Sequence, residues 1–245
     1  MKPNSEIADD FDAIADALRA TPSRRRPTSA ERAVLAAIPD GARFGLDCGC
    51  GDGWVAQSAA RRGLQMVGID LAPQMIALAR SRTESSLQID FQVADIMTAP
   101  FAEAAFDAVI GVNVVHHLPL EAILPRLAAL VAPGGRLIIQ DVVTRDGLRH
   151  LPVNIIAAIW SRRRQLGRRT SHSRTVQRLY DQHGVGESYL RPEHVRRALS
   201  PFLPGVAVTH HFDWRYTAVW TRPQGRSLAT NNGMRYIPWM PPSAV

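Results

Sequence analysis

Lysine is all but missing from this chain. Lys2 is the only one among 245 residues, so arginine carries nearly all the positive charge, a bias that with abundant alanine fits genome composition as well as function. Cysteine is nearly as scarce: only Cys48 and Cys50 occur, separated by one residue. They are poor disulfide partners at that spacing, and no second Cys/His pair stands at the spacing of a zinc site, so both read as small buried residues and no metal is expected. Long apolar runs are absent too. None approaches the about 20 residues that a membrane-spanning helix needs, and Met1–Ala20 lacks a basic-then-apolar leader pattern. The expectation is a cytoplasmic protein with no membrane partner. Internal repeats are also missing, which leaves one ample domain, or one domain with a lid.

The net charge of +7 suggests a nucleic-acid partner until it is located. Between Arg145 and Arg197 stand 12 arginines against four acids (Asp146, Asp181, Glu187, Glu193), a local balance of +8, so the rest of the chain is about −1. The basicity belongs to one segment. Its runs Arg162–Arg164, Arg168–Arg169 and Arg174 read as a solvated face, as a clamp for an acidic group through bidentate arginine contacts, or as an RNA-binding surface. No aromatic-interleaved stripe supports the last, and no nucleic acid is expected.

Hydrophobic residues reach 46%, enough for a buried core, and their spacing alternates between two periods. Ile7, Phe11, Ile14 and Leu18 mark an amphipathic helix over residues 4–20, and a second helix is expected over Ser29–Ile38 with Thr28 or Ser29 as N-cap. From residue 43 strands and helices alternate: strands at 43–48, 65–70, 87–95 and 106–114, and a turn plus strand at 132–143. Helices are expected at 54–62, 73–82 and 121–131. That order implies an α/β fold with a doubly wound, mostly parallel sheet. The end differs, because residues 206–211 and 215–221 are two strands joined by a short turn, an antiparallel hairpin. The expected organisation is N-terminal helices over the site (1–40), a core (41–145), an Arg-rich lid (146–190), a helix and hairpin completing the core (191–222) and a tail (223–245). About 45 residues between the fifth strand and the helix at 192–199 exceed ordinary connections, and such a segment usually covers something.

The strongest chemical signal is Asp47-Cys48-Gly49-Cys50-Gly51-Asp52-Gly53 at the end of the first strand. Glycines let the backbone turn tightly and approach a ligand, and this edge is where doubly wound folds bind nucleotides. Trp54 fits poorly where a dinucleotide site needs a close pyrophosphate, and Asp47 would repel a diphosphate but attract an ammonium. Asp70 closes the second strand, placed to accept ribose hydroxyls, and Asp95 with Ile96 closes the third, where a carboxylate suits an adenine amino group. A lone strand-end Asp is often only a turn residue. Three in register with a glycine turn are a ligand pattern.

DCGCGDG, VGIDLAPQM, VADI, FDAVIGVNVVHHLP and LVAPGGRLIIQDV resemble the successive motifs of class I S-adenosylmethionine (SAM)-dependent methyltransferases, in the style of the group that includes the ubiquinone and menaquinone methyltransferases. The resemblance covers residues 40–145 strongly and weakens beyond. It implies a Rossmann-like seven-stranded sheet and SAM as cofactor. It also implies that Gly49, Gly51 and Gly53 pack on the methionine part, that Asp47 holds the amino group, and that Asp70 with Leu71 takes the ribose. Asp95 and Ile96 would then flank adenine, with Asn113 near the sulfonium.

Methyl transfer needs an acceptor aligned with the methyl carbon and, where the acceptor is protonated, a base. The Asn/Asp-Pro-Pro-Tyr/Phe run of amide methylation is missing, and Lys2 alone rules out a lysine-centred tetrad. His116-His117 follows the fourth strand instead, read either as a base near neutral pH or as structural. Tyr180 and His183, three apart, share a face if helical, as a deprotonating pair or as surface packing. The expected substrate is a small aromatic metabolite methylated at O, N or electron-rich carbon, with Trp160, Tyr180, Tyr189, Trp214 and Tyr216 as a candidate wall. The expected state is monomer or homodimer. An RNA or protein methyltransferase and a SAM-binding enzyme that transfers no methyl are the alternatives.

Overall fold

The alternation in the sequence becomes a seven-stranded sheet in a computed structural model, which describes residues 2–20, 28–144, 174–212 and 214–224. The strands are β1 (Phe44–Cys48), β2 (Gln65–Asp70), β3 (Ile89–Val93), β4 (Phe106–Val112), β5 (Val131–Val142), β6 (Ala207–His211) and β7 (Arg215–Thr221). They lie in the order β3-β2-β1-β4-β5-β7-β6. The first five pair in parallel, and β7 runs antiparallel between β5 and β6. The expected parallel sheet closed by a hairpin is what forms.

Helices α1 (Asn4–Arg19), α2 (Ser29–Ala36), α3 (Trp54–Ala60), α4 (Pro73–Arg82), α5 (Leu120–Leu130), α6 (Arg174–His183) and α7 (Pro192–Leu199) surround the sheet. Both faces of the sheet are covered, which is why β1 and β4 read as nearly continuous apolar runs. On one face α5 buries Ile123, Leu124, Leu127 and Leu130 beside Val195 and Leu199 of α7. At about 1.5–3 kcal/mol per buried aliphatic side chain, that α5 stripe alone contributes roughly 6–12 kcal/mol before the entropy of ordering it. The opposite face packs Val34 and Leu35 of α2 and Val55, Ala56 and Ala59 of α3. Helix α2 starts at a complete capping box: the Thr28 hydroxyl accepts from the Glu31 N–H at 3.1 Å while the Glu31 carboxylate accepts from the Thr28 N–H at 2.7 Å.

A third cluster sits at the carboxyl edge of the sheet. Ile14, Ala15 and Leu18 of α1 pack on Met75 and Leu78 of α4 and Val176 of α6. Of the amphipathic stripe expected in residues 4–20, Ile14 and Leu18 therefore face these two helices.

Several boundaries differ from expectation, α3 and β4 each ending two residues early. Helix α2 stops at Ala36, and β3 spans only Ile89–Val93 because Asp95 leaves the ladder to cap the following turn, accepting the Met97 N–H at 2.8 Å. The glycine turn expected before the fifth strand lies inside β5. Its register against β4 jumps from Phe106↔Val131 to Ala108↔Arg136, so residues 132–135 bulge. Gly135 makes this possible, since a Cβ there would stand 2.7 Å from the Asp107 carbonyl oxygen.

Past β5, Val143 forms a parallel bridge with Leu190, and the Thr144 N–H donates to the Leu190 carbonyl at 3.0 Å. Among the described residues no helix is long and apolar enough to cross a membrane. The arginines at 162–164 and 168–169, Trp160 and the tail beyond 224 lie outside the described residues, as does the Arg174 side chain.

Candidate active site

Strand order reverses between β1 and β4, and a cavity of about 560 Å³ opens at the carboxyl ends there. Helices α1 and α6 lie over it, supplying Asn4, Ile7, Phe11, Tyr180 and His183 to its lining.

The β1 end is built from acceptors. Asp47 is buried, and its Oδ2 accepts the Ala56 N–H at 3.1 Å. Burial pushes its pKa up to about 8; the Ala56 hydrogen bond opposes this, and the nearby Asp70 and Asp52 charges add to it. Gly49, Gly51 and Gly53 all take positive φ, at 63°, 53° and 78°. A Cβ on Gly53 would meet the Phe91 ring at 2.7 Å and one on Gly49 the Val114 side chain at 2.8 Å, whereas nothing protein-borne lies within 4 Å of a Cβ on Gly51. The outer two glycines are thus required by packing, and the middle one leaves open space over the turn. Gly53→Ala is expected to cost at least about 2 kcal/mol, from the left-handed backbone and the ring collision together. A urea midpoint unchanged from the parent would refute that account.

Asp70 ties β2 to this turn: Oδ2 accepts the Gly51 N–H and Oδ1 the Ala72 N–H, each at 2.9 Å. Burial raises its pKa, against those backbone hydrogen bonds. Leu71, Asp95 and Ile96 line the cavity next to it, and Asp95 Oδ2 accepts from Asn4 of α1 at 2.9 Å. Asn113 follows β4 with φ 54°, donates its N–H to the Gln140 carbonyl at 2.8 Å, and leaves its buried Oδ1 without a partner. The cofactor-side residues named from the sequence therefore share one rim except Gly53, which does not line the cavity and packs against Phe91 and Ala79 instead. Carboxylates, an orphaned amide oxygen and an open glycine turn fit a ligand that brings donors and positive charge, as SAM does with its ammonium, ribose hydroxyls and sulfonium.

At the other end Val115–His117 form a 3-10 turn that the sequence did not announce. The Asp141 carboxylate accepts the His116 backbone N–H at 3.0 Å and faces the ring Nδ1 at 2.6 Å. His117 is buried; desolvation, then the neighbouring His116, His183 and Lys2, push its pKa down to about 3. His183 turns inward from α6. Its Nδ1 lies 2.9 Å from Asp10 and its Nε2 lies 3.3 Å from His117 Nε2. The structure thus joins His183 to His117 and Asp10, while Tyr180, at 38% exposure, lines the rim.

Tyr189 stands 5.0 Å ring to ring from His116, its hydroxyl pKa raised by burial and by Glu187 and Asp141. Tyr216, expected on the substrate wall, is instead core at 2% exposure, because its strand position faces α7. Cys48 and Cys50 are both buried thiols, and Cys50 lies in the turn beyond the strand. Asp10, Asp141 and Glu187 escaped the sequence reading. Of these only Asp141, at a strand end beside the site, had a signal that could have flagged it.

Comparison with known proteins gives the fold its family. Residues 46–139 match the family model described as a methyltransferase domain. A ubiquinone biosynthesis O-methyltransferase of Xanthomonas axonopodis pv. citri is 31% identical over 208 residues, 82% of this chain and 69% of that protein. Among solved structures, magnesium protoporphyrin IX methyltransferase from Synechocystis PCC 6803 with bound SAH superposes at TM-score 0.59, with 16% identity over 90% of this chain and 100% of that one. Phosphoethanolamine N-methyltransferase 2 of Haemonchus contortus, in complex with SAM, superposes at TM-score 0.64 with 15% identity, covering 91% of this chain and 61% of that one. At such identities these two structures speak for the fold. With the motifs, the strand order and the relative from Xanthomonas in agreement, the chain belongs to the class I SAM-dependent methyltransferases and uses SAM as its cofactor.

Proposed function

We propose that the chain O-methylates a hydroxyl of a small aromatic metabolite. The observation that carries this reading is the His116–Asp141 pair at 2.6 Å, opening onto the cavity whose other end is the acceptor-rich rim. A hydroxyl is a weak nucleophile until its proton is taken, and an imidazole oriented by a buried carboxylate is suited to take it. Phe11, Tyr180 and Tyr189 offer the acceptor ring aromatic surface. The relative from Xanthomonas, named as an O-methyltransferase of ubiquinone biosynthesis, supports oxygen over nitrogen or carbon.

When bound, SAM supplies a methyl group on a sulfonium. In this reading Asp47 takes its ammonium, Asp70 its ribose hydroxyls, Asp95 with Ile96 its adenine, and the Asn113 amide oxygen faces the positive end. Gly49, Gly51 and Gly53 hold the turn open, and Leu71 packs beside the ribose. Helices α1 and α6 are taken as the cover over a core at 41–145, and residues 146–173 of the expected lid lie outside the described residues. His183, engaged by Asp10 and His117, orders the wall and does not meet the acceptor proton.

The test is transfer from labelled SAM to a panel of hydroxylated aromatics. His116→Asn is expected to lower kcat by about 10²–10⁴-fold with SAM affinity retained. Full activity in that variant, or label found only on nitrogen or carbon, would overturn the assignment.

A further inference from the structure

Three candidate ligand atoms converge beside the cavity. One ring nitrogen each of His116 and His117 and a carboxylate oxygen of Glu187 lie within 4.8 Å of one another. His117 Nδ1 and Glu187 Oε1 are 3.3 Å apart, with side chains 6% and 3% exposed, yet they form no hydrogen bond and neither has another partner. Two buried polar groups left facing each other in this way are costly, and native structures seldom tolerate them unfilled.

With all three histidines neutral, the surrounding hydrogen bonds select tautomers that leave no proton of the protein in the gap. Asp10 carboxylate only accepts, so His183 donates its Nδ1 hydrogen to it. With a single ring proton, His183 then presents a lone pair at Nε2, and His117 donates its Nε2 hydrogen there. His117 Nδ1 is left as a lone pair aimed at the Glu187 carboxylate. By the same logic Asp141 fixes the His116 proton on Nδ1 and leaves Nε2 as a lone pair. A carboxylate behind a histidine is the usual outer support of a metal-binding imidazole.

We infer that His116, His117 and Glu187 bind a divalent cation of the zinc type, with an open position toward the acceptor end of the cavity. Two imidazoles and one carboxylate suit borderline ions such as Zn²⁺ and Co²⁺, whereas Mg²⁺ and Ca²⁺ favour all-oxygen cages. The acceptor hydroxyl is the natural fourth ligand. The inference rests on the reading that the acceptor sits at this end: with the cation bound, His116 would ligate it and the cation would acidify the acceptor hydroxyl, and in the cation-free chain His116 remains the base. The sequence could not show the site, because Glu187 comes from beyond α6 and joins the histidines only in the fold.

The probe is Co²⁺ alone, titrated into the full chain after chelation, without SAM or acceptor, and followed by its visible absorption. One equivalent is expected to bind with the intense band of a low-coordinate site. Glu187→Gln, near-isosteric, and Asp141→Asn behind His116 are each expected to weaken binding by about 10–100-fold. The exposed His194→Ala is expected to bind as the parent does. Co²⁺ should also raise the melting midpoint of the parent and not of Glu187→Gln. No saturable uptake, or equal uptake by Glu187→Gln, would overturn the cation site. A chain that loses transfer in His116→Asn but takes up no Co²⁺ keeps the proposed function and rejects the metal. One that takes up Co²⁺ here yet methylates no hydroxyl does the reverse.

Discussion

Asp70→Ala is expected to weaken SAM binding by about 10²–10⁴-fold in calorimetry. Each hydrogen bond from a ribose hydroxyl to a carboxylate is worth about 1.5–3 kcal/mol. Two such bonds amount to about 3–6 kcal/mol, and each 1.4 kcal/mol is about tenfold. Asp70 has the geometry for this because its backbone bonds to Gly51 and Ala72 hold both oxygens at the end of β2. Those bonds also make it a brace for the glycine turn. Asp70→Asn separates the roles: its amide oxygen still accepts from one of these N–H groups, so the fold is held while the charge is lost. Affinity within threefold of the parent in Asp70→Ala would remove Asp70 from the ribose site.

Protons should leave the protein when SAM binds. Asp47 has its pKa raised from 3.8 to about 8, chiefly by burial, so at pH 7 its carboxyl is protonated before the ligand arrives. An ammonium beside it favours the ionised form. Binding at pH 7 is then expected to release close to one proton, read as a dependence of the calorimetric enthalpy on buffer ionisation, and Asp47→Asn should abolish that release. The same shift sets a stability slope. The folded state holds the Asp47 proton more tightly than the unfolded chain, so this group favours folding most below about pH 4. That contribution is lost progressively as pH rises to about 8. SAM should therefore protect against heat more effectively at pH 8 than at pH 6. Equal protection at both, with no proton release, would contradict a buried Asp47 as the ammonium partner.

The candidate cofactor rim was legible in the sequence because its carboxylates sit at or just past strand ends, and strand ends are fixed by local apolar periodicity and glycine. Asp47, Asp70 and Asp95 needed no knowledge of distant contacts. The acceptor end was not legible in the same way. His116 and His117 were visible, but their partners are Asp141 of β5, His183 of α6 and Glu187, and His183 in turn meets Asp10 of α1 across 173 positions. No spacing rule links them; only the packing of α1 and α6 over the cavity does. The bulge in β5 escaped for another reason, since Pro-Gly-Gly signals a turn but not whether a neighbouring strand closes around it.

The bridge between Val143 and Leu190 means that the polypeptide leaves the sheet and returns to it at one point. What lies between is anchored at both ends whatever its length, and each doubling of such a span adds only about 0.6 kcal/mol of closure entropy. Insertion or deletion within that span therefore leaves the sheet edge at Val143 where it is.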